Sequence, residues 1–253
     1  MKKITVKNHY LIFSLLFLTG NCYANQTPHV GQEAIIASLP EQSIEVGAIK
    51  NPEWKSYDVL LEGFNAFNRN RNLAPSATLR FALRPIKSDV DMDGVTLKIQ
   101  SSELSVPIVL DESYRFSLPR DERLTELSAE LVINRKKSLL SIRPDIRTPG
   151  LATGTRRLSD LRLECHVRWA IEKNELSFAK RTAFKMLGGP CKSKTVSTLY
   201  FSDGVIKKAW ISAPGRKIQL AIGKDGNFYR PPIHDNTWDD DALITLEYIN
   251  AQM

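Results

Sequence analysis

The chain has 253 residues, a formal net charge of +7 and three cysteines. Three of its lysines, Lys2, Lys3 and Lys7, fall in the leader described below, so without them, and with no acid lost, +7 becomes +4. Lysine and arginine are otherwise mixed with acids, in clusters no longer than 69–71, 135–137, 156–157 and 207–208. That distribution excludes nucleic acid as the expected partner and leaves anionic envelope surfaces, lipid headgroups or acidic glycans, open.

Residues 1–24 read as a secretory signal peptide: a lysine-rich start, an apolar run over 10–19, and Cys22, Tyr23, Ala24 as a cleavage site. The run is shorter than the roughly 20 residues a bilayer needs, so no stable membrane span is expected after cleavage. Asn21, where a small residue should precede Cys22, argues against lipidation. The expected location is periplasmic or secreted. Cys165 and Cys191 remain, and in an oxidising compartment they predict one disulfide, contributing about 3 kcal/mol. A zinc site at Cys165 and His166 is the rival, and it lacks a fourth ligand at a recognisable spacing.

Residues 25–71 form a lead-in, with a short strand at 44–49, and an amphipathic helix over 52–68 on which Trp54, Tyr57, Leu60, Leu61, Phe64 and Phe67 recur at helical spacing. Residues 72–150 form a first β unit. Its strands are 77–84, 94–100, 106–110, 114–118 and 129–134, with Asp111, Glu112 and Ser113 as a tight turn. The stretch 135–161, rich in proline, glycine and arginine, reads as surface loop or broken strand. Residues 151–191 are a connector. In it, Leu161, Leu163, Cys165 and Val167 alternate with charged residues and predict a strand over 160–168, and 176–187 is a second helix stopped by Gly188, Gly189 and Pro190. The disulfide would pin that helix to the strand. Residues 192–253 are a second β unit, with strands at 197–201, 206–212, 217–222, 226–229 and 242–250 and a hairpin turn at 224–227.

The two units repeat each other. The stretch 106–119 (VPIVLDESYRFSLP) returns as 218–231 (IQLAIGKDGNFYRP), with Phe116 answering Phe228 and Pro119 answering Pro231. Asp93-Gly94-Val95 before one strand answers Asp203-Gly204-Val205 before another. The predicted fold is therefore mainly β with two short helices: two related antiparallel β-sandwich-like units, an internal duplication.

Two constellations are candidates for chemistry. Asp89, Asp91 and Asp93 before Gly94 match the first half of a calcium loop, but position twelve is Gln100 and a strand follows where a helix should stand. The rival is a plain β-turn, the feature shared with Asp203-Gly204. His234, Asp235, Asp239, Asp240 and Asp241 make an acidic loop able to bind a cation or supply a general acid and base. Its rival is a surface turn with Trp238 packed inward. No nucleophile elbow and no phosphate-binding glycine loop is present, and no cofactor is expected unless calcium binds.

The hairpins at 111–119 and 224–231 resemble those of carboxypeptidase-regulatory-like, transthyretin-like β-sandwiches, and the chain is similar to uncharacterised exported proteins of Gram-negative bacteria. The resemblance implies a binding or accessory role and carries over no catalytic residue. The leading expectation is a non-enzymatic module that contacts a protein or an envelope glycan through surface loops. The alternatives are a carboxylate-dependent envelope hydrolase and a subunit of an envelope assembly joined by β-edge pairing.

Overall fold

The computed structural model describes residues 52–87 and 89–249. The signal peptide, Cys22 and the strand expected at 44–49 lie outside them. Among the described residues, 14 strands form four antiparallel sheets with a few short helices between them, a mainly β, sandwich-like fold.

In the first half, β1 (Pro52–Ser56) runs straight into α1 (Tyr57–Arg69), followed by β2 (Thr78–Pro85), β3 (Leu97–Gln100), β4 (Ser105–Ile108), β5 (Arg115–Phe116), α2 (Glu122–Glu126), β6 (Glu130–Lys136) and β7 (Leu140–Arg147). The second half repeats the opening move, with β8 (Thr155–Arg157) running into α3 (Leu158–Glu172). Then come α4 (Phe178–Met186), β9 (Tyr200–Phe201), β10 (Ile206–Ala213), β11 (Arg216–Gln219), β12 (Ala221–Ile222), β13 (Phe228–Arg230) and β14 (Leu243–Tyr248). One four-stranded sheet is ordered β1-β6-β3-β4 and the other β8-β14-β10-β11, the same order when the strands are matched by the sequence repeat. The three-stranded sheets differ: β7 flanks β2 in β5-β2-β7, whereas β12 flanks β13 in β12-β13-β9.

Each half has its own apolar cluster, one around Phe81, Leu83, Leu97, Ile99 and Phe116, the other around Ile211, Tyr229, Trp238 and Ile244. α3 belongs to both. Leu163, Val167 and Ile171 enter the first cluster, and Leu158, Leu161 and Cys165 enter the second. These stripes correct the strand expected at 160–168. Residues two apart on a helix point roughly 200° apart, so a helix buried on two opposite sides shows odd-numbered apolar positions that mimic a strand. α1 crosses α3 at Gly63, where an added Cβ would stand 2.7 Å from Ile171 Cδ1 and 3.3 Å from Val167 Cγ1. Glycine lets the two helices approach this closely.

Three further expectations are corrected. Residues 52–56 are a strand, with Trp54 on it 44% exposed, and the helix begins only at Tyr57. The supposed surface loop at 135–161 contains β7, which pairs with β2 over eight residues and buries Leu140, Ile142, Asp145 and Ile146. Pro144 concealed it, but β7 is the outer strand of its sheet, where a missing N–H is tolerated. The turn at 111–113 exists, closed by Tyr114 N–H donating to Asp111 O at 2.8 Å with Tyr114 at φ 57°. It does not close a simple hairpin: β4 pairs with β3 and β5 with β2, so the turn carries the chain from one sheet to the other.

The connector holds together as expected through the Cys165–Cys191 disulfide. It ties α3, rather than a strand, to the segment after α4. No helix among the described residues is long and apolar enough to cross a membrane.

Candidate functional site

The polar groups of the junction between the two halves come from strands and one helix. β2 supplies Arg84, β5 Arg115, β7 Asp145 and Arg147, β8 Arg156, α3 Glu164, and the turn before β10 supplies Asp203. Asp203 accepts from Arg84 and Arg115 at 2.6 Å each and from Arg147 at 2.9 Å. Asp145 accepts from Arg115 at 2.5 Å and Arg147 at 2.9 Å, with Arg156 at 3.8 Å. Arg156 also donates to Glu164 and, at 2.8 Å, to the carbonyl of Ile146, whose own N–H donates to Glu164 at 2.7 Å. One partly exposed aspartate of the second half thus gathers three arginines from all three strands of a first-half sheet.

The two inner carboxylates diverge electrostatically. Burial alone would raise Asp145, but Arg156, Arg147 and Arg115 outweigh it and hold its carboxyl down at about 2. Burial pushes Glu164 up to about 7; Arg156 pulls it back while the charge of Asp145 adds to the rise. Partial burial of Asp203 is likewise overcome by Arg147, Arg84 and Arg115, and its carboxyl lies below the ordinary range. Such divergence is common in acid–base sites. Here the cavity beside Asp145, Arg156 and Glu164 measures about 30 Å³, which is space for about one water and not for a substrate. The arrangement is a latch between halves.

The acidic loop expected to carry chemistry is organised by α3. Arg162 donates to the carbonyls of Ile233, Asp235 and Trp238 at 3.0, 2.9 and 3.1 Å and to the Asp240 carboxylate at 2.5 Å. Arg157 pairs with Asp241. Asp235 accepts from the amide and hydroxyl of Thr237, at 2.9 and 2.7 Å, and these bonds hold its carboxyl below the usual range. Asp239 is exposed and accepts, through its carbonyl, from Ala242 N–H at 3.0 Å. Trp238 is buried, with the Arg216 guanidinium 3.9 Å from its ring centre. Against α3 the loop leaves an open pocket of about 340 Å³ lined by Arg162, His166, Lys192, His234, Asn236 and Asp240. Burial, then Lys192, lowers the pKa of His166.

The turn at 89–94 keeps its own bonds. Asp91 accepts from Asp93 N–H at 2.9 Å, Gly94 sits at φ 64°, and Arg135 reaches the carbonyls of Asp91 and Asp93. The Arg135 guanidinium thus braces the turn through its backbone carbonyls. No three His, Cys, Asp or Glu side chains among the described residues are grouped so as to hold a metal ion.

Sequence reasoning singled out the acidic loop but missed the junction, because Arg84, Arg115, Asp145 and Asp203 are scattered over 120 positions. Alternation gave no signal either: Asp145 falls on the strand face opposite Ile142 and Ile146, beside Arg143 and Arg147, and is buried only by the second half. No family model matches the chain, and no curated protein or solved structure is similar to it.

Proposed function

We propose that the protein is a non-enzymatic binding module of the periplasm or the extracellular side, built from two duplicated units, that contacts a protein or an envelope glycan through the loop at 231–242 and the pocket beside it. The observation that carries this reading is the way the loop is held. Three hydrogen bonds from Arg162 to loop carbonyls, a fourth to the Asp240 carboxylate and the buried Trp238 hold the loop, while His234, Asn236 and Lys192 remain around a polar pocket large enough for a sugar or a side chain. A preformed loop on a rigid scaffold binds without a large ordering cost. The leader at 1–24 supports export, and the matching strand orders of the two four-stranded sheets support duplication, as does the sequence match of 106–119 with 218–231.

The hydrolase alternative needs carboxylates free to take and give protons, and Asp240 and Asp241 are each bound to an arginine. Assembly by edge pairing is discouraged by Pro107 on the outer strand β4 and by Arg216 and Lys217 on the outer strand β11. The test is crosslinked capture from intact cells with the tagged protein and with a His234→Ala/Asn236→Ala variant. Partners or glycans captured by the first and lost by the second are the expected result. Identical captures would overturn the reading, and so would glycan turnover abolished by Asp239→Ala/Asp240→Ala.

A further inference from the structure

A second surface, separate from the loop, centres on α4. From Leu176 to Ser202 the chain carries Lys180, Arg181, Lys185, Lys192 and Lys194 and no acid. Among the described residues none of these five belongs to an ion pair, although pairs such as Lys55–Glu175 and Arg168–Glu172 stand just before them. The helix is sharply bounded. Ser177 Oγ accepts from Lys180 N–H at 3.4 Å at its start, and Gly188 and Gly189, at φ 78° and 87°, turn the chain at its end. The disulfide at Cys191 then fastens that end to α3.

Only one side of α4 leans on the protein: Phe184 meets Trp169 edge-on with ring centres 5.3 Å apart, and no residue of the helix is buried. Phe178, Thr182, Lys185 and Met186, at i, i+4, i+7 and i+8, share the outward face. Phe178 is 78% and Met186 84% exposed, and Leu187 follows at 49%. Large apolar side chains kept in water beside cations, with no acid among them, are the pattern of a helix that lies in the headgroup layer of an anionic bilayer. A second copy of the same face is disfavoured, since like charges would be brought together. The disulfide presents the helix already formed, whereas a free peptide of this length would first have to fold.

We propose that α4 and the turn after it dock the protein onto an anionic lipid surface, with Phe178 and Met186 entering the headgroup layer and Lys185 and Lys194 meeting the phosphates. This contact goes beyond the loop-borne one and rests on different residues. Its test uses protein purified from the export compartment with the disulfide intact, co-sedimented with vesicles of phosphatidylglycerol and phosphatidylcholine or of phosphatidylcholine alone. The mixed vesicles bind, and binding weakens as salt rises. Phe178→Ser/Met186→Ser weakens it at least about tenfold through lost apolar burial. Lys185→Glu/Lys194→Glu has a similar effect, since each cation strengthens attachment about fivefold. His234→Ala/Asn236→Ala leaves it unchanged, which separates this contact from the loop-borne one. Circular dichroism and a thiol assay confirm that the variants are folded and bridged. Absence of binding to the mixed vesicles, equal binding to neutral ones, or no loss in the Phe178→Ser/Met186→Ser protein overturns the proposal. So does concentration-dependent self-association removed by that same variant, which would assign the face to a second copy.

Discussion

Two sets of arginine–carboxylate pairs meet around α3, and their surroundings make them different devices. At the junction the side chains of Asp145, Arg156 and Glu164 are 8%, 7% and 6% exposed. In the loop, Asp240 and Asp241 are 49% and 82% exposed. The pairing chemistry is the same. Inside, each charge has lost its water and depends on its partner, so removing one partner strands the other; outside, water replaces whatever is removed. The inner set therefore locks the halves together, and the outer set only orients a loop.

The comparison breaks most directly at Asp145. Its replacement by alanine leaves Arg115, Arg147 and Arg156 without their shared anion, and urea unfolding should show a loss of about 3–5 kcal/mol. Replacing both Cys165 and Cys191 by serine should cost about 3 kcal/mol in the same assay, because a 26-residue separation is no longer closed in the unfolded chain. If the disulfide mattered more than Asp145, the latch would not be the dominant tie.

Stability as a function of pH sharpens the contrast within the inner set. The Asp145 carboxyl falls from its ordinary 3.8 to about 2 on folding, so in acid the unfolded chain takes up the proton first. Its contribution is present above pH 4 and is lost as pH drops towards 2. Glu164 rises from 4.5 to about 7, so the folded state holds that proton longer, and its contribution is present below pH 4.5 and lost as pH rises to 7. Thermal melts should show the acid-side slope flattened by Asp145→Asn and the slope between pH 4.5 and 7 flattened by Glu164→Gln. The reverse assignment of slopes would refute this account of the junction.

At the outer set, Asp240→Ala with Asp241→Ala should change stability by less than about 1 kcal/mol. A larger loss would mean that the loop is part of the core. The smallest effect expected is that of calcium. With no three carboxylates grouped to hold an ion among the described residues, millimolar calcium or chelator should leave the melting temperature unchanged, whereas a rise with calcium would show the ion bound.

Turns and alternating strands were legible in the sequence because their signals are local. The 224–227 turn indeed joins β12 to β13, where Ile222 pairs with Tyr229. The disulfide was also legible, since two cysteines leave one pairing. α4 followed from its apolar spacing and from the Gly188, Gly189, Pro190 stop. α3 was not legible, because its alternation arises from two cores on opposite sides of one helix, and neither core is visible until the sheets are assembled. Nor did the acidic loop reveal that Arg162, some 70 positions away, would organise it.

By itself, then, the sequence determined the strand-rich character, the hairpin turn at 224–227, the covalent bridge and the acid-free basic stretch around α4, all set by neighbouring residues or by composition. The tertiary structure alone decided that 158–172 is a helix shared by two cores, that Asp203 gathers three arginines, and that Asp240 and Asp241 are held by arginines of β8 and α3. Each of these depends on groups far apart in the chain, and their desolvation and charge act on one another only after folding has brought them together.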